Sequence, residues 1–340
     1  MSNIRIDSND TPASDDKTPF SGLTPDAVCD AIEAQGYLVD GRILALNSYE
    51  NRVYQVGLDD ASPLIAKFYR PERWTQAQIL EEHAFCFELA ESDFPVVPPL
   101  VHSNGSSLAS FNGLYIALFE RKGGRAPELD NFDHLFSLGQ HVAKIHGIGK
   151  QASFTHRPAL TVQSYGKNSV DYLMAHFIPG SLKDAYATLC SDLLSLITDA
   201  FDDFPEGDFI RCHADCHLGN MLWRDDSPHF VDFDDARMAP PIQDIWMLLS
   251  GDKQQQQLQL AELLEGYELF QEFDDRQLSL IEPLRTLRML HHCAWLARRW
   301  EDPSFPMHFP WFNTERFWGE HILQLKEQFS ALQEPHLVRL

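Results

Sequence analysis

The chain has 340 residues, a formal net charge of −23 and 44% hydrophobic residues. Such a length and composition are typical of a globular protein with room for two lobes. The negative charge provides no cationic surface for phosphate backbones, which disfavours nucleic-acid binding. No apolar run reaches the roughly 18 residues that a membrane-spanning helix needs, so we expect no membrane segment.

The N-terminal residues 1–20 are rich in Ser, Asp, Thr and Pro and lack the apolar core of a secretory signal. This composition predicts a disordered extension. Six scattered cysteines suit a reducing compartment better than a disulfide framework. We therefore expect a cytoplasmic protein, and a monomer.

A β-rich N-lobe is predicted for residues 21–120, beginning with strand, turn and strand over residues 44–56. The turn contains no glycine, but Ser48 offers a hydroxyl and a backbone N–H that could bind phosphate. An ordinary hairpin turn explains the same residues equally well. The next strand carries Lys67 in an apolar run, as in the kinase strand that places a lysine against nucleotide phosphates. The alternative for Lys67 is a solvated strand face.

A helix is predicted over residues 74–91, with one apolar stripe. Glu82 falls inside this stripe, whereas Glu81 lies on another face. We therefore predict Glu82 as the carboxylate partner of Lys67. The alternative is that both glutamates are solvated. The apolar stripe consists of Ile79, Cys86, Leu89 and Ala90.

A hinge is predicted at residues 120–125, which contain a Gly-Gly pair. Beyond it we predict a mainly helical C-lobe over residues 121–340. Its helices include 135–145, ended by Gly147, and 278–300. The expected fold is therefore α+β with two lobes, a β-rich N-lobe and a helical C-lobe.

The most specific motif is a loop with the spacing H-x-D-x-x-x-x-N, formed by His213, Asp215 and Asn220, and followed by Asp232. In such a loop Asp215 accepts a hydroxyl proton while Asn220 turns back toward a metal ion. Asp232 follows the predicted strand 228–231, so its carboxylate emerges facing the loop. Mg²⁺ takes few protein oxygens and shares the rest with phosphates and water. The constellation is typical of phosphoryl transfer from Mg-ATP.

Two other interpretations of this loop are weaker. Asp and Asn also cap turns, but that leaves the joint spacing as coincidence. Zinc prefers thiolate and imidazole ligands. However, the chain has no C-x-x-C pair and no second Cys/His pair at zinc spacing, so buried cysteines explain the thiols better. The zinc candidates would be Cys212, His213, Cys216 and His217.

Four further segments complete a family resemblance: residues 47–54, 79–85, 119–125 and 295–301. With the motifs above, the chain from about residue 23 onward resembles the protein-kinase-like phosphotransferases that include aminoglycoside and choline kinases. It is most similar to the bacterial stress response kinase A group.

The resemblance implies a bilobal kinase fold that binds Mg-ATP between its lobes. It implies a cytoplasmic enzyme of stress responses that transfers the ATP γ-phosphate to Ser or Thr of proteins, itself included. Asp215 would then be the base, with Asn220 and Asp232 holding Mg²⁺. The remaining family positions are Ser48 for ATP, Lys67 with Glu82 for the phosphates, and His213 with Asp244 as braces of the catalytic loop.

Two alternatives remain from the sequence. A small-molecule kinase acting on choline, homoserine or an aminoglycoside would use the same Asp215, Asn220 and Asp232. A non-catalytic pseudokinase is suggested by the glycine-free turn, although the intact Lys67 and loop motif argue against it. An acidic cleft would favour basic peptides or cationic aminoglycosides, but the net charge also serves simply to keep a surface solvated.

Overall fold

The computed structural model describes residues 18–339. Most of the predicted disordered extension lies outside the described residues. At the edge of this range, Phe20 is half-buried against the N-terminal lobe, with the Arg52 guanidinium 4.6 Å from its ring centre. Across residues 18–339 no helix combines the length and apolar character needed to cross a membrane.

The N-terminal lobe is built on a five-stranded antiparallel sheet in the order β1-β2-β3-β5-β4. Helix α1 packs Val28 and Ile32 against Val56 and Phe68 of the sheet. Its elements are α1 (Pro25–Glu33), β1 (Val39–Ala45), β2 (Arg52–Leu58), β3 (Leu64–Phe68), α2 (Gln76–Glu91), β4 (Ala109–Phe111) and β5 (Leu114–Glu120).

Helix α2 connects the two lobes through its buried side. Ile79 in its first turn packs with Tyr69 of the N-terminal lobe, whereas Phe85 and Leu89 enter the large core of the helical lobe. The helix begins at Gln76 because Thr75 and Gln78 form a reciprocal capping box. The position of α2 is therefore set by both lobes.

The C-terminal lobe is mainly helical and contains two small antiparallel β-pairs, β6 with β9 and β7 with β8. Its helices are α3 (Phe132–Gly149), α4 (Asn168–His176), α5 (Lys183–Asp202), α6 (Gln243–Trp246), α7 (Lys253–Tyr267), α8 (Ile281–Arg298), α9 (Ser304–His308) and α10 (Glu315–Ala331), with a π-helical turn at Val162–Lys167. Its strands are β6 (Ile210–Cys212), β7 (Met221–Arg224), β8 (Ser227–Phe230) and β9 (Arg237–Ala239).

Helices α3 and α7 approach each other closely because each contributes a glycine at the contact. A Cβ on Gly139 would lie 2.0 Å from the carbonyl oxygen of Leu263. A Cβ on Gly266 would lie 2.0 Å from the carbonyl oxygen of Phe136. Any larger residue at either position must push the two backbones apart.

Two predicted helix boundaries are wrong. Helix α3 continues through Gly147 to Gly149, since Gly147 keeps helical geometry inside the last turn. The helix predicted over residues 278–300 is divided, with a 3-10 segment at Asp275–Leu280 before α8. Pro283 stands in the first turn of α8, where its missing N–H costs no helical hydrogen bond.

Candidate active site

The loop of residues 213–220 connects β6 to β7 and is held by hydrogen bonds to Asp244 of α6. The fully buried Asp244 carboxylate accepts hydrogen bonds from the backbone N–H of His213 at 2.9 Å and of Ala214 at 2.7 Å. His146 lies 3.1 Å from the same carboxylate. Ala214 has a φ of 65°, which is costly for a residue with a side chain. The two hydrogen bonds to Asp244 hold this conformation.

His213 ties the same loop to the strand that precedes Asp232. Its Nδ1 accepts the backbone N–H of Asp215 at 3.3 Å. Its Nε2 lies 3.0 Å from the carbonyl oxygen of Val231, so the neutral ring carries its proton on Nε2 and donates it there. The structure therefore places both predicted braces, His213 and Asp244, in direct contact with the loop.

The β7–β8 hairpin brings the two predicted metal ligands to the same end of a β-pair. Met221 pairs with Phe230, and the backbone N–H of Val231 donates to the carbonyl of Asn220 at 3.0 Å. The next residue, Asp232, has a φ of 60° and a side chain that is 52% exposed. This left-handed turn directs its carboxylate into the cleft between the lobes.

Asn220 is oriented by the base of the same loop. Its Nδ2 donates to the backbone carbonyl of Asp215 at 3.0 Å and to the Asp215 carboxylate at 3.3 Å. The amide oxygen is left for another partner. An amide oxygen and the exposed carboxylate of Asp232 are hard oxygen ligands, which fit Mg²⁺ or a similar cation.

Lys67 of β3 lies among three carboxylates at the roof of the cleft. Its Nζ is 3.0 Å from Asp232, 3.1 Å from Asp234 and 3.9 Å from Glu82. Burial alone would lower the pKa of Lys67, but the surrounding carboxylates raise it well above its ordinary value. Lys67 is therefore a permanent cation beside the predicted metal ligand.

Glu82, not its neighbour Glu81, faces Lys67, as the apolar stripe of α2 indicates. Glu82 is 2% exposed and also lies 3.6 Å from Arg157. Burial raises the pKa of Glu82 to about 7, and Lys67 offsets this only in part. Glu81 is not simply solvated, because its carboxylate accepts three successive backbone N–H groups of the C-terminal lobe, those of residues 155, 156 and 157.

The turn that contains Ser48 is fixed within itself and against the C-terminal lobe. The Ser48 hydroxyl donates to the carbonyl of Asn51 at 3.2 Å. Tyr49 packs on Phe309, with ring centres 4.9 Å apart, and on His308 at 5.3 Å. These contacts fix the position of the turn. The turn has no glycine and so lacks the backbone freedom that glycines give to other phosphate loops.

Glu50 in this turn is the centre of a buried charge cluster that sequence reasoning missed. Its carboxylate, 11% exposed, lies 3.0 Å from Arg70, 3.1 Å from Arg73 and 2.7 Å from Arg299. The indole N–H of Trp295 also donates to it. We call these five residues the Glu50 clasp, and they join the turn to the end of α8.

Arg73, between β3 and α2, was also missed. Its guanidinium lies 2.9 Å from Asp234 and 2.8 Å from Asp235, and it reaches Glu50 as well. Burial opposes ionisation of Asp234, but Arg73 and then Lys67 lower the pKa of Asp234 to about 2. The signal for this cluster was the pair of further aspartates after Asp232, whose buried charges need cationic partners.

The carboxylate of Asp215 is held between two side chains. The Oδ1 atom lies 2.8 Å from an Arg288 Nη of α8. The Oδ2 atom lies 3.3 Å from Nε2 of His217, whose Nδ1 accepts the backbone N–H of Gly219. Burial raises the pKa of Asp215, but the hydrogen bond from His217 and the charge of Arg288 lower it below its ordinary value. No motif in the sequence indicated Arg288.

The four zinc candidates do not form a cluster. Cys212 and Cys216 are fully buried, and both ring nitrogens of His213 and His217 bond within the protein. Cys212 instead lies near His146 and Asp244. Because Asp244 already accepts the hydrogen bonds of the catalytic loop, this group is explained as part of the loop's support.

The fold and this cleft define a protein-kinase-like phosphotransferase. The profile of the Phosphotransferase enzyme family matches residues 42–281. The chain is 45% identical to "Stress response kinase A" of Escherichia coli O157:H7 over 323 residues, 94% of this chain and 96% of the relative. It is 43% identical to "Serine/threonine protein kinase RdoA" of Salmonella typhimurium, covering 95% and 98% of the two chains. The chain therefore belongs to the phosphotransferase enzyme family, in the stress response kinase A group.

Solved structures share the fold at low sequence identity. Amicoumacin kinase hAmiN superposes with a TM-score of 0.69 at 18% identity, covering 87% of this chain and 90% of that one. A microcompartment-associated aminopropanol kinase superposes with a TM-score of 0.68 at 17% identity, covering 89% and 96%. The bilobal kinase fold predicted from the sequence is confirmed.

Proposed function

We propose that this protein is an ATP- and Mg²⁺-dependent serine/threonine protein kinase of the bacterial stress response, which also phosphorylates itself. The observation that carries the proposal is the convergence of Lys67, Asp215, Asn220 and Asp232 on one cleft, on a loop fixed by the buried Asp244. Phosphoryl transfer depends mainly on positioning and on charge stabilisation, which such a braced site supplies.

Each residue has a proposed role that follows from its place. Lys67 contacts the phosphates and is fixed by Glu82. Asn220 and Asp232 hold Mg²⁺, which when bound neutralises phosphate charge. The turn of Ser48 covers the phosphates from the N-terminal lobe. His213 and Asp244 keep the catalytic loop in its strained conformation.

Asp215 receives the proton of the acceptor hydroxyl. The acceptor oxygen then forms a bond to the γ-phosphorus, and the bond from that phosphorus to the bridging oxygen of ADP breaks. The lowered pKa of Asp215 keeps its carboxylate ionised, so it is ready to orient the hydroxyl at neutral pH. Such positioned bases contribute roughly a hundredfold to ten-thousandfold in rate.

Serine and threonine of proteins are proposed as acceptors because of the similarity to relatives named stress response kinase A and RdoA. Choline-type, homoserine-type and aminoglycoside-type acceptors would use the same catalytic residues. All six cysteines are free, which agrees with the proposed cytoplasmic location. We also propose a monomer, since Lys67, Asp215, Asn220 and Asp232 already meet within one copy of the chain.

The test is to incubate the purified protein with Mg²⁺ and γ-labelled ATP, with and without a generic protein acceptor, and to identify the labelled amino acid. We expect phosphoserine or phosphothreonine from the wild type and a loss of at least a hundredfold in Asp215→Asn. The matched control is Asp226→Asn, in the exposed β7–β8 turn, where the positive φ of 58° suits asparagine. This control should keep full activity.

Three results would contradict the proposal. One is full turnover in Asp215→Asn. The second is labelling without added Mg²⁺ after chelation. The third is phosphorylation of a small amino alcohol or aminoglycoside with no label on any protein, which would make the enzyme a small-molecule kinase.

A further inference from the structure

The ion pairs around the proposed catalytic residues balance in charge, although the protein as a whole is strongly acidic. Seven carboxylates meet seven cationic side chains there, so the net charge of −23 resides elsewhere. A cleft built for polycationic acceptors would present unpaired carboxylates. The carboxylates are Glu50, Glu82, Asp215, Asp232, Asp234, Asp235 and Asp302, and the cations are Lys67, Arg70, Arg73, Arg157, Arg237, Arg288 and Arg299.

Arg288 differs from the other cations of the cleft in its exposure. Its side chain is 41% exposed, whereas none of the other six exceeds 16%. Each of the six buried cations pairs with one or more of these carboxylates. Arg288 extends from α8 with Asp215 as its carboxylate contact, and a partly exposed ion pair contributes little to stability, so a change of rotamer can release Arg288.

The acceptor hydroxyl must approach the atom that Arg288 now contacts. The Oδ2 atom of Asp215 faces His217 and the amide of Asn220, on the metal side of the loop. The Oδ1 atom faces Arg288 at 2.8 Å. A hydroxyl that donates to Asp215 within about 3 Å therefore arrives next to the guanidinium. Burial and the charge of Arg288 also lower the pKa of the neighbouring His292.

We propose that Arg288 is the specificity-determining residue of the acceptor site. It binds an anionic group beside the acceptor hydroxyl and thereby leaves Asp215 free for that hydroxyl. The preferred acceptor is a serine or threonine in an acidic peptide segment. A carboxylate or phosphate pairs with a guanidinium in two parallel hydrogen bonds, whereas a quaternary ammonium or an aminoglycoside is repelled. This inference rests on the proposed protein kinase function.

The test uses three serine peptides of equal length, flanked by Asp and Glu, by Ala, or by Lys and Arg, with homoserine and choline as small acceptors. The wild type should give the highest kcat/KM with the acidic peptide and the lowest with the basic one. In Arg288→Gln we expect KM for the acidic peptide to rise roughly tenfold or more, and by a larger factor than KM for the neutral peptide. Arg288→Glu should favour the basic peptide, and Arg288→Lys should restore part of the acidic preference.

The matched control is Arg285→Gln, one turn earlier on α8, where the guanidinium pairs with Glu282 at 3.5 Å instead of a cleft residue. It should leave the peptide preference unchanged. Melting temperatures of all variants exclude a folding defect. Binding of the acidic peptide with alanine in place of serine provides a readout without transfer, and Arg288→Gln should weaken that binding by a similar factor.

Several results would overturn the role of Arg288. One is a wild-type preference for the basic peptide, and another is equal use of all three peptides. A third is a fall in kcat by the same factor for every acceptor in Arg288→Gln. That result would make Arg288 only a positioning residue for Asp215. Transfer to homoserine without any labelled peptide would overturn the peptide assignment. Asp215-dependent labelling of any of the three peptides keeps the proposed function, so the two ideas fail separately.

Discussion

Glu50→Gln should destabilise the protein and loosen the turn of Ser48. Three guanidinium groups surround the carboxylate, but two of them keep other anions. Arg70 also pairs with Asp302 at 2.6 Å, and Arg73 also pairs with Asp234 and Asp235. Only Arg299 loses its one carboxylate within the described structure.

Removing one partner of a buried ion pair costs about 3–5 kcal/mol. Because Arg70 and Arg73 stay paired, we expect the lower end, about 3 kcal/mol. For a chain of 340 residues the unfolding entropy is about 0.7 kcal/mol/K, so the melting temperature should fall by roughly 4 °C. The turn would separate from α8, so KM for ATP should rise while kcat changes less.

Differential scanning calorimetry and initial rates at varied ATP concentration would measure both effects. Glu91→Gln, at the exposed end of α2, is the matched control and should shift the melting temperature by no more than about 1 °C. If Glu50→Gln has the melting temperature of the control and the wild-type KM for ATP, the Glu50 clasp contributes nothing to stability or to nucleotide binding.

Three further predictions concern other parts of the molecule. The pKa of Glu82 is about 7 in the folded protein and about 4.3 when unfolded. Between these pH values the folded state binds more protons than the unfolded state. The free energy of unfolding therefore falls as pH rises, by at most about 1.4 kcal/mol per pH unit. Urea unfolding at several pH values should show that Glu82→Gln loses this slope. Asp244→Asn should lower kcat roughly tenfold to a hundredfold in steady-state assays, because one backbone N–H of the loop loses its acceptor; an unchanged kcat would contradict that role. Gly139→Ala should lower the melting temperature because the added Cβ pushes α3 away from α7. The control Gly319→Ala has open space around its Cβ and should not lower it. Equal melting temperatures of the two variants would refute the tight contact.

Local motifs made part of the site predictable. The spacing of Asp215, Asn220 and Asp232 predicted that these three side chains lie together, because a single loop and hairpin position all three. The helical stripe distinguished Glu82 from Glu81, because burial on a helix follows the periodicity of apolar residues. The two-lobed architecture followed from the order of strands and helices.

Long-range pairs were not predictable in this way. Glu50 meets Arg299 and Asp215 meets Arg288 across long sequence separations, and neither pair has a local pattern. The predicted helix end at Gly147 was wrong because glycine ends a helix only where the chain must turn, and here the last turn packs without turning. The glycine-free turn was ambiguous since its anchor, Tyr49 on Phe309, comes from the other lobe.

Helix α2 is anchored on two faces, and this limits how the enzyme can be switched off. Kinases that are regulated by movement of this helix break their Lys–Glu pair by letting it swing outward. Here an outward swing would also break the three hydrogen bonds that backbone N–H groups donate to Glu81. Each hydrogen bond to a charged group is worth about 1.5 kcal/mol or more. A cost above about 4 kcal/mol leaves fewer than roughly one molecule in a thousand displaced. We therefore expect the contact between Lys67 and Glu82 to persist in the resting protein.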